Sequence, residues 1–351
     1  MAARRSRVSS GPEVAHGARV ARELGPVLCA VLALALSFTG LAPAAAGAPS
    51  AALAARPAPG GPGVPPIPGA TAEGPFYLAV GASESLGVQP RRDVAGDHGE
   101  EARGDYSHAG APTRLGYAND VVRAERSRWP GLHLVQLGCS GITAQGSVDG
   151  AGPCAYPAGS QVATAVQFLR AHKGGTVLAS VDLGYNDLWP CLVHRRVNRV
   201  CVHATFRAVR QVIPEILRRL RAAGGRRTVI VGLEHNDPVL ADWLHRGPGR
   251  TFAERTIPIL RKFNQELSKL YRAGGGEVAN VPRLWRVGSS HMVPLAGHGQ
   301  VPADVATVCK DSWACSLGNV HPNAAGYRKI AAAITAAIAS RPADRRPRAE
   351  G

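Results

Sequence analysis

The residues best suited to chemistry stand in four short segments. In chain order they are Gly81-Ala82-Ser83, Gly138-Cys139-Ser140-Gly141, Gly184-Tyr185-Asn186-Asp187 and Asn319-Val320-His321-Pro322-Asn323. Together they supply a hydroxyl, a backbone amide that no side chain shields, a side-chain amide and an imidazole. A serine hydroxyl becomes a nucleophile when a base takes its proton, and acyl transfer also needs N–H donors for the oxygen that becomes negative. The four segments therefore predict the parts of an acyl-transfer site.

Each part has one best candidate residue. Ser83 is the predicted nucleophile, because it directly follows a short apolar run that predicts a strand. His321 is the predicted base, since Pro322 disfavours helix at the residue before it and can begin a helix after it, which holds the imidazole at a fixed corner. For the oxyanion hole we expect the backbone amides of Ser83 and Gly141 and the side-chain amide of Asn186. Any one of these residues alone would more readily be a polar turn residue, so the prediction depends on all of them together.

The alternation of apolar runs with helical patterns predicts how these residues are brought together. Strands are expected at 76–80, 133–137, 176–183, 228–233 and 277–281, and helices at 117–129, 161–172, 205–222, 252–271 and 324–339. Five strands separated by helices predict right-handed crossovers and a five-stranded parallel sheet in a three-layer α/β/α sandwich. Ligands of such sheets bind beyond the carboxyl ends of the strands, where the four segments should converge. The stretch 282–319 has little regular signal, and we expect an ordered loop that shapes the pocket.

The ends of the chain differ in composition from its middle. We expect residues 1–46 to be a cleaved secretory signal, because several arginines precede the apolar stretch 27–41 and Ala44-Ala45-Ala46 offers a cleavage site. An uncleaved membrane anchor is less favoured, since that stretch is shorter than the roughly 20 residues that a spanning helix needs. Residues 47–72 are rich in Ala, Pro and Gly and predict an extended linker. One domain is expected over 73–340, followed by a basic, disordered tail at 341–351.

Cysteine placement also favours export. Of seven cysteines, one lies within the predicted signal. The other six are near neighbours in pairs: Cys139 with Cys154, Cys191 with Cys201, and Cys309 with Cys315. Each pair brackets a stretch typical of a loop, so sequential disulfide pairing is favoured, and disulfides are typical of an extracellular protein. Zinc binding is the alternative, but no pair has Cys-x-x-Cys spacing, and we expect no metal and no organic cofactor.

The basic charge of the chain bears on its partners. The net charge is +16, and removing residues 1–46, with five Arg and two Glu, would leave +13. A charge of this size is found in proteins that bind nucleic acid or an anionic surface. Here the basic residues are scattered over predicted helices and the tail with few interleaved aromatics, which is typical of solvated faces and argues against nucleic acid. We expect a monomer that acts on a small-molecule, lipid or carbohydrate ester, with no membrane span after signal cleavage.

The chain resembles the SGNH, or GDSL-type, serine hydrolases, and among them the secreted actinobacterial members. The resemblance covers about residues 75–338. It rests on Tyr77-Leu78-Ala79-Val80-Gly81-Ala82-Ser83, Ser140-Gly141, Gly184-Tyr185-Asn186-Asp187 and His321-Pro322-Asn323-Ala324-Ala325-Gly326-Tyr327. It implies a flavodoxin-like sandwich and hydrolysis of lipid, acetyl-carbohydrate or thioester substrates. By the same resemblance Ser83 is the nucleophile, Gly141 and Asn186 complete the oxyanion hole, and His321 is the base.

Two positions depart from the family's pattern. Ala82 replaces the Asp that usually precedes the nucleophile, and Gly318 replaces the Asp that commonly stands three residues before the histidine. The imidazole therefore needs another acceptor: the Gly318 carbonyl, the Asn319 side chain, or Asp304 or Asp311 from the preceding loop. The sequence predicts a secreted serine esterase with a Ser-His dyad or triad. The alternative hypothesis is a cell-surface binding protein that keeps the fold and has weak chemistry.

Overall fold

The computed structural model describes residues 73–90 and 114–341. The predicted signal at 1–46, the linker at 47–72 and residues 342–351 lie outside these ranges. The central sheet consists of β1 (Phe76–Gly81), β2 (His133–Gln136), β3 (Thr176–Asp182), β4 (Val229–Leu233) and β5 (Glu277–Ala279). Neighbouring strands are parallel and lie in the order β2-β1-β3-β4-β5. This confirms the predicted five-stranded parallel sheet, and the strand order is the flavodoxin-like one.

Helices follow the strands in sequence and cover both faces of the sheet. They are α1 (Ser83–Leu86), α2 (Tyr117–Glu125), α3 (Ala144–Asp149), α4 (Gln161–Ala171), α5 (Tyr185–Leu188), α6 (Arg199–Gly224), α7 (Pro248–Ala273), α8 (Val281–Leu284), α9 (Ala303–Asp311), α10 (Ala314–Leu317) and α11 (Ala324–Ala339). Two 3₁₀ helices lie at Trp189–Leu192 and Pro238–Leu244. In the described part of the chain, no helix is both long and apolar enough to cross a bilayer.

Two apolar cores hold the sheet between its helical layers. Successive side chains of a strand point to opposite faces. Accordingly Phe76, Leu78 and Val80 of β1 pack with α4, α6 and α7, whereas Tyr77 and Ala79 pack with α2 and α11. Fully burying a large apolar side chain stabilises a fold by roughly 1.5–3 kcal/mol. A one-residue slip of β1 would exchange its two faces, so this burial fixes the register of the strand that leads to Ser83 and confirms the three-layer sandwich.

The stretch 282–319 is more regular than the sequence predicts. It contains a two-stranded antiparallel hairpin, β6 (Met292–Leu295) and β7 (Gly299–Pro302), followed by α9 and α10. Four-residue strands that each contain a proline are too short to show an alternating pattern, which explains why they were not predicted. Arg341, expected to begin the tail, is buried after α11, and its Nε lies 3.3 Å from Glu277 Oε1.

Three disulfides close loops of the domain. They join Cys139 to Cys154, Cys191 to Cys201 and Cys309 to Cys315, which is the sequential pairing that the sequence favoured. The first brackets the segment containing Ser140 and Gly141, and the third lies just before the segment containing His321. One of the four candidate segments, the one containing Cys139, is therefore itself cross-linked by a disulfide.

Removing the Cys139–Cys154 bond should lower the free energy of unfolding by about 3 kcal/mol, the chain-entropy value for a loop of about 15 residues. The two cysteines are 15 positions apart. The measurement is urea denaturation of a variant with both cysteines changed to serine. The matched control is the double serine variant of Cys309 and Cys315, which are 6 positions apart. By the same chain-entropy relation, removing the bond of the shorter loop should lower the free energy of unfolding by about 0.8 kcal/mol less than removing Cys139–Cys154. A larger decrease for the control would contradict a stabilisation that depends on loop length.

Candidate active site

A cavity of about 380 Å³ opens where the carboxyl ends of β1 and β3 meet. Ser83, Gly141, Asn186 and His321 all line it. The strand order reverses between these two strands, which is the usual ligand position in open α/β sheets. The structure therefore brings the four predicted site residues to one place. In contrast to the sequence expectation, no lining residue comes from 282–319; Pro153 and Pro238 help to form the walls instead.

Ser83 is placed by the close approach of β1 and β3. The Ala82 amide donates to the Asp182 carbonyl at 3.1 Å, which extends the ladder one residue past the strand. Gly81 permits this approach, because a Cβ there would lie 2.8 Å from the Asp182 Cβ. Ser83 is the first residue of α1, so its N–H has no acceptor within the helix. The serine thus presents a hydroxyl and a backbone amide at the edge of the sheet.

A buried glutamine joins the strand ends beneath this turn. Gln161 Nε2 lies 2.8 Å from the Gly81 carbonyl oxygen and 2.6 Å from that of Leu137. Gly81 is the last residue of β1 and Leu137 follows β2, so one amide group links the two segments that lead to Ser83 and Gly141. Sequence patterns placed Gln161 only at the start of a helix. Its role depends on contacts across 80 positions of the chain.

The local structure around Gly141 and Asn186, two of the predicted oxyanion donors, is well defined. Gly141 has φ +75°, and the nearest heavy atom to a Cβ built on it is Pro153 Cγ at 4.0 Å, so a left-handed turn rather than crowding requires the glycine. Asn186 Nδ2 donates to the Ile142 carbonyl at 2.9 Å. A side-chain amide has two N–H groups, so the second remains for the cavity. Ser83, Gly141 and Asn186, the three residues predicted to form the oxyanion hole, thus line one cavity.

The Asn319 side chain contacts the imidazole of His321. Asn319 Oδ1 lies 2.9 Å from His321 Nδ1 and also accepts the His321 backbone N–H at 2.9 Å. Because a backbone N–H can only donate, the atom facing it must be the amide oxygen, and Nδ1 must therefore carry the ring proton. Nε2 is then the basic nitrogen. Of the acceptors that the sequence offers, the Asn319 side chain is the one that the structure places against the imidazole.

The two aspartates considered for this role are engaged elsewhere. The Asp304 carboxylate accepts the backbone N–H groups of Gly288 at 3.0 Å and Val305 at 2.7 Å. Asp311 forms an ion pair with Lys329. The described contacts of both carboxylates thus hold the stretch before α11 together.

Further hydrogen bonds fix the His321 segment to the Ser83 segment. Tyr327 donates its hydroxyl to the Val88 carbonyl at 2.9 Å, and Gln89 Nε2 lies 3.3 Å from the Pro322 carbonyl oxygen. Trp313 Nε1 donates to Gln89 Oε1 at 3.0 Å. The sequence alone assigns neither Gln89 nor Trp313 to this contact, because only the folded chain brings these positions together. They fix the relative position of Ser83 and His321, the predicted nucleophile and base.

Three ionisable side chains that the sequence did not single out also line the cavity: Glu84, Asp182 and His235. Burial raises the pKa of the Asp182 carboxyl to about 7, although nearby Tyr117 lowers it in part. Burial, together with the charge of Asp182, raises the pKa of Glu84 well above its usual value. Burial also lowers the pKa of His235 to about 4, which makes this imidazole neutral near pH 7.

Asp187 locks the loop of Asn186 to the loop after β2, and it gives a testable pH effect. Its Oδ2 accepts the Ala144 N–H at 2.8 Å. Burial raises its pKa from 3.8 to about 6, partly opposed by this hydrogen bond. Because the folded value is raised, the stabilising contribution is complete below the unfolded value and is lost as pH rises through about 6.

The Asp187→Asn variant should therefore lose less stability than the parent protein between pH 4 and pH 6, since the amide oxygen still accepts the Ala144 N–H and nothing ionises. Thermal unfolding at several pH values measures this difference. Asp149→Asn is the control, because Asp149 accepts the Ala151 N–H and its pKa is lowered, so it should not flatten the profile. Parallel pH–stability profiles for Asp187→Asn and the parent would contradict a raised pKa of Asp187 in the folded protein.

Several solved structures are similar to this chain at low sequence identity. No family model matches the sequence, and no curated protein matches it. A lipolytic G-D-S-L family member from Veillonella parvula DSM 2008 is 12% identical with a TM-score of 0.39, covering 76% of this chain and 99% of that one. TesA is 14% identical with a TM-score of 0.38, covering 75% and 97%. A catalytic mutant of Axe2, an acetylxylan esterase from Geobacillus stearothermophilus, is 12% identical with a TM-score of 0.39, covering 75% and 93%. Because these identities and TM-scores are low, a proposal of function for this chain rests on the residues of its own site.

Proposed function

We propose that this chain is a secreted serine esterase of the SGNH hydrolase family that cleaves carboxylic esters through an acyl-serine intermediate. The supporting observation is that one cavity contains Ser83, three N–H donors and an imidazole whose protonation pattern is fixed by Asn319. Acyl transfer needs a nucleophile, a base and oxyanion donors, and each is present with a definite role.

The reaction follows from these roles. His321 Nε2 takes the proton of Ser83 as Oγ attacks the carbonyl carbon of the ester, and the carbonyl oxygen becomes an oxyanion that the Ser83 and Gly141 amides and Asn186 stabilise. The tetrahedral intermediate collapses, the C–O bond to the leaving group breaks, and the imidazolium returns its proton to the departing alcohol. Water then attacks the acyl-serine with Nε2 again as base, which releases the acid and restores Ser83.

The site uses a dyad oriented by a neutral amide. Asn319 fixes the ring and its tautomer, as a third residue does in a triad, but it carries no charge to stabilise the imidazolium. We expect catalysis to depend strongly on the oxyanion hole, where a single donor is worth about 3–4 kcal/mol of transition-state stabilisation.

Cavity size and walls bear on the substrate. A volume of about 380 Å³ is near the lower end for small-molecule sites, which span about 300–1,000 Å³. Tyr185 and Trp189 form part of the wall, and their rings lie 6.1 Å apart. These features favour esters with a short acyl or alcohol group. Three disulfides support export of the domain, in agreement with the signal that the sequence predicts at 1–46.

The test is hydrolysis of short p-nitrophenyl esters together with labelling by a fluorophosphonate probe. The enzyme proposal expects turnover and one covalent adduct, which peptide mass mapping assigns to Ser83. If the folded protein neither hydrolyses these esters nor reacts with the probe, the proposal fails and the binding-protein hypothesis replaces it. Circular dichroism establishes that the protein assayed is folded.

A further inference from the structure

We propose that Glu84, Asp182 and His235 form a divalent-cation site on the wall of the cavity, suited to Zn²⁺ or Mn²⁺. Each residue can offer one ligand atom, and these atoms all lie within 4.8 Å of one another. With metal–ligand bonds of about 2.1 Å, two ligands of one ion stand roughly 3–4.2 Å apart. The separation of His235 Nδ1 and Asp182 Oδ1 is 3.7 Å, which falls within that range. The three groups thus need little movement to bind one ion.

The tautomer of His235 supports metal binding. Its Nε2 lies 3.2 Å from the Leu183 carbonyl oxygen. That oxygen can only accept, so Nε2 carries the proton and Nδ1 presents its lone pair towards Asp182. At 3.7 Å the carboxylate and the ring do not form a hydrogen bond. A metal-binding histidine commonly donates its second ring N–H to a backbone carbonyl, and His235 has this arrangement.

The charge of the cluster also favours a cation. Asp182 has 3% exposed surface, and within the described part of the chain its Oδ2 has no partner that meets hydrogen-bond geometry, although the Tyr117 hydroxyl is close enough to lower the pKa of the carboxyl in part. Within residues 73–90 and 114–341, neither carboxylate forms an ion pair with a lysine or arginine. Buried carboxylates are usually paired or bound to metal, since an isolated buried charge is costly. A divalent ion would neutralise both groups.

The nature of the ligands restricts the ion. Carboxylate oxygens suit Mg²⁺, Ca²⁺ and Mn²⁺, whereas imidazole suits Zn²⁺ and other transition metals. A mixed set of two carboxylates and one neutral imidazole therefore favours Zn²⁺ or Mn²⁺. Glu84 directly follows Ser83, so a bound ion would tie the start of α1 to the end of β3 and to the loop after β4. This inference goes beyond ester hydrolysis, and its test does not depend on that activity.

The experiment uses the full chain after treatment with chelator and transfer into metal-free buffer. Isothermal titration with MnCl₂ and ZnCl₂, and the loss of the free Mn²⁺ paramagnetic resonance signal, should show binding of about one ion per chain. Thermal unfolding should shift upward by several degrees in the presence of excess metal, because the ion binds the native state. The Asp182→Asn and Glu84→Gln variants should each lose affinity by at least about tenfold.

Controls separate metal binding from folding defects. Both variants replace a carboxyl by an amide of similar shape, in Asp182 at a buried position and in Glu84 at a half-buried one, so in metal-free buffer they should unfold at the same temperature as the parent or higher. His235→Gln is a third variant, should either of the others fail to fold. Asp187→Asn, which alters a carboxylate outside the cluster, should bind metal like the parent. The proposal is overturned by a parent protein that binds neither ion, as a proton shared between Glu84 and Asp182 would predict. It is also overturned by binding that survives all the cluster substitutions.

Discussion

The Ser83→Ala variant should hydrolyse p-nitrophenyl esters at least about 10⁴-fold more slowly than the parent protein, with an unchanged fold. Removing the nucleophile of a serine hydrolase leaves only the catalysis that binding and the oxyanion donors supply. The Ser83 side chain lines the cavity, whereas β1 and the start of α1 are held by backbone bonds that alanine keeps. Steady-state kinetics over a range of enzyme concentrations measures the residual rate.

The matched control is Ser140→Ala, because Ser140 lines the same cavity and also carries a hydroxyl. It should keep its rate within about tenfold of the parent, since no step of the proposed reaction uses that hydroxyl. Loss of activity in both variants to the same extent would point to damage to the cavity rather than loss of a nucleophile. Retention of activity in Ser83→Ala would rule out the acyl-serine mechanism.

Local patterns were sufficient to predict most of the sheet and the convergence of the four segments. The strand Phe76–Gly81 and the helix Ala324–Ala339 lie where the apolar runs predict them. A continuous apolar run predicts a buried element regardless of which distant residues pack against it. Once a parallel sheet is predicted, residues that follow its strands must meet at one edge. Ser83, Gly141 and Asn186 could be placed together on that argument alone.

The features that the sequence did not predict depend on contacts between distant residues. The strand order was not predictable because periodicity says which face is buried but not which strand lies beside which. The cluster of Glu84, Asp182 and His235 was missed because its members lie at or just beyond the ends of three different strands and resemble no metal-binding spacing. Asn319 remained one of several candidate acceptors for the imidazole, since the choice depends on how the chain turns at Gly318, which has φ +66°.

The second large effect concerns His321 and tests how it acts together with Asn319. His321→Ala should lower kcat by at least about 10⁴-fold, because no other group at the cavity is assigned to take the serine proton. Asn319→Ala should have a smaller effect of about 10²–10³-fold, since the imidazole remains but its ring and tautomer are no longer fixed. Steady-state kinetics on both variants, at a pH where the parent rate is constant, measures these losses.

The double variant and a conservative substitution reveal whether Asn319 works through the histidine. If it does, the double alanine variant should be no slower than His321→Ala alone, because residues that act as a unit are strongly non-additive. Asn319→Asp should retain or exceed the parent rate, since its carboxylate can still accept both N–H groups and adds a charge that stabilises the imidazolium. A shift of the acidic limb of its pH–rate profile to higher pH would be the signature of that charge. Additive losses, with no recovery by aspartate, would mean that Asn319 supports the fold and that another acceptor orients the imidazole.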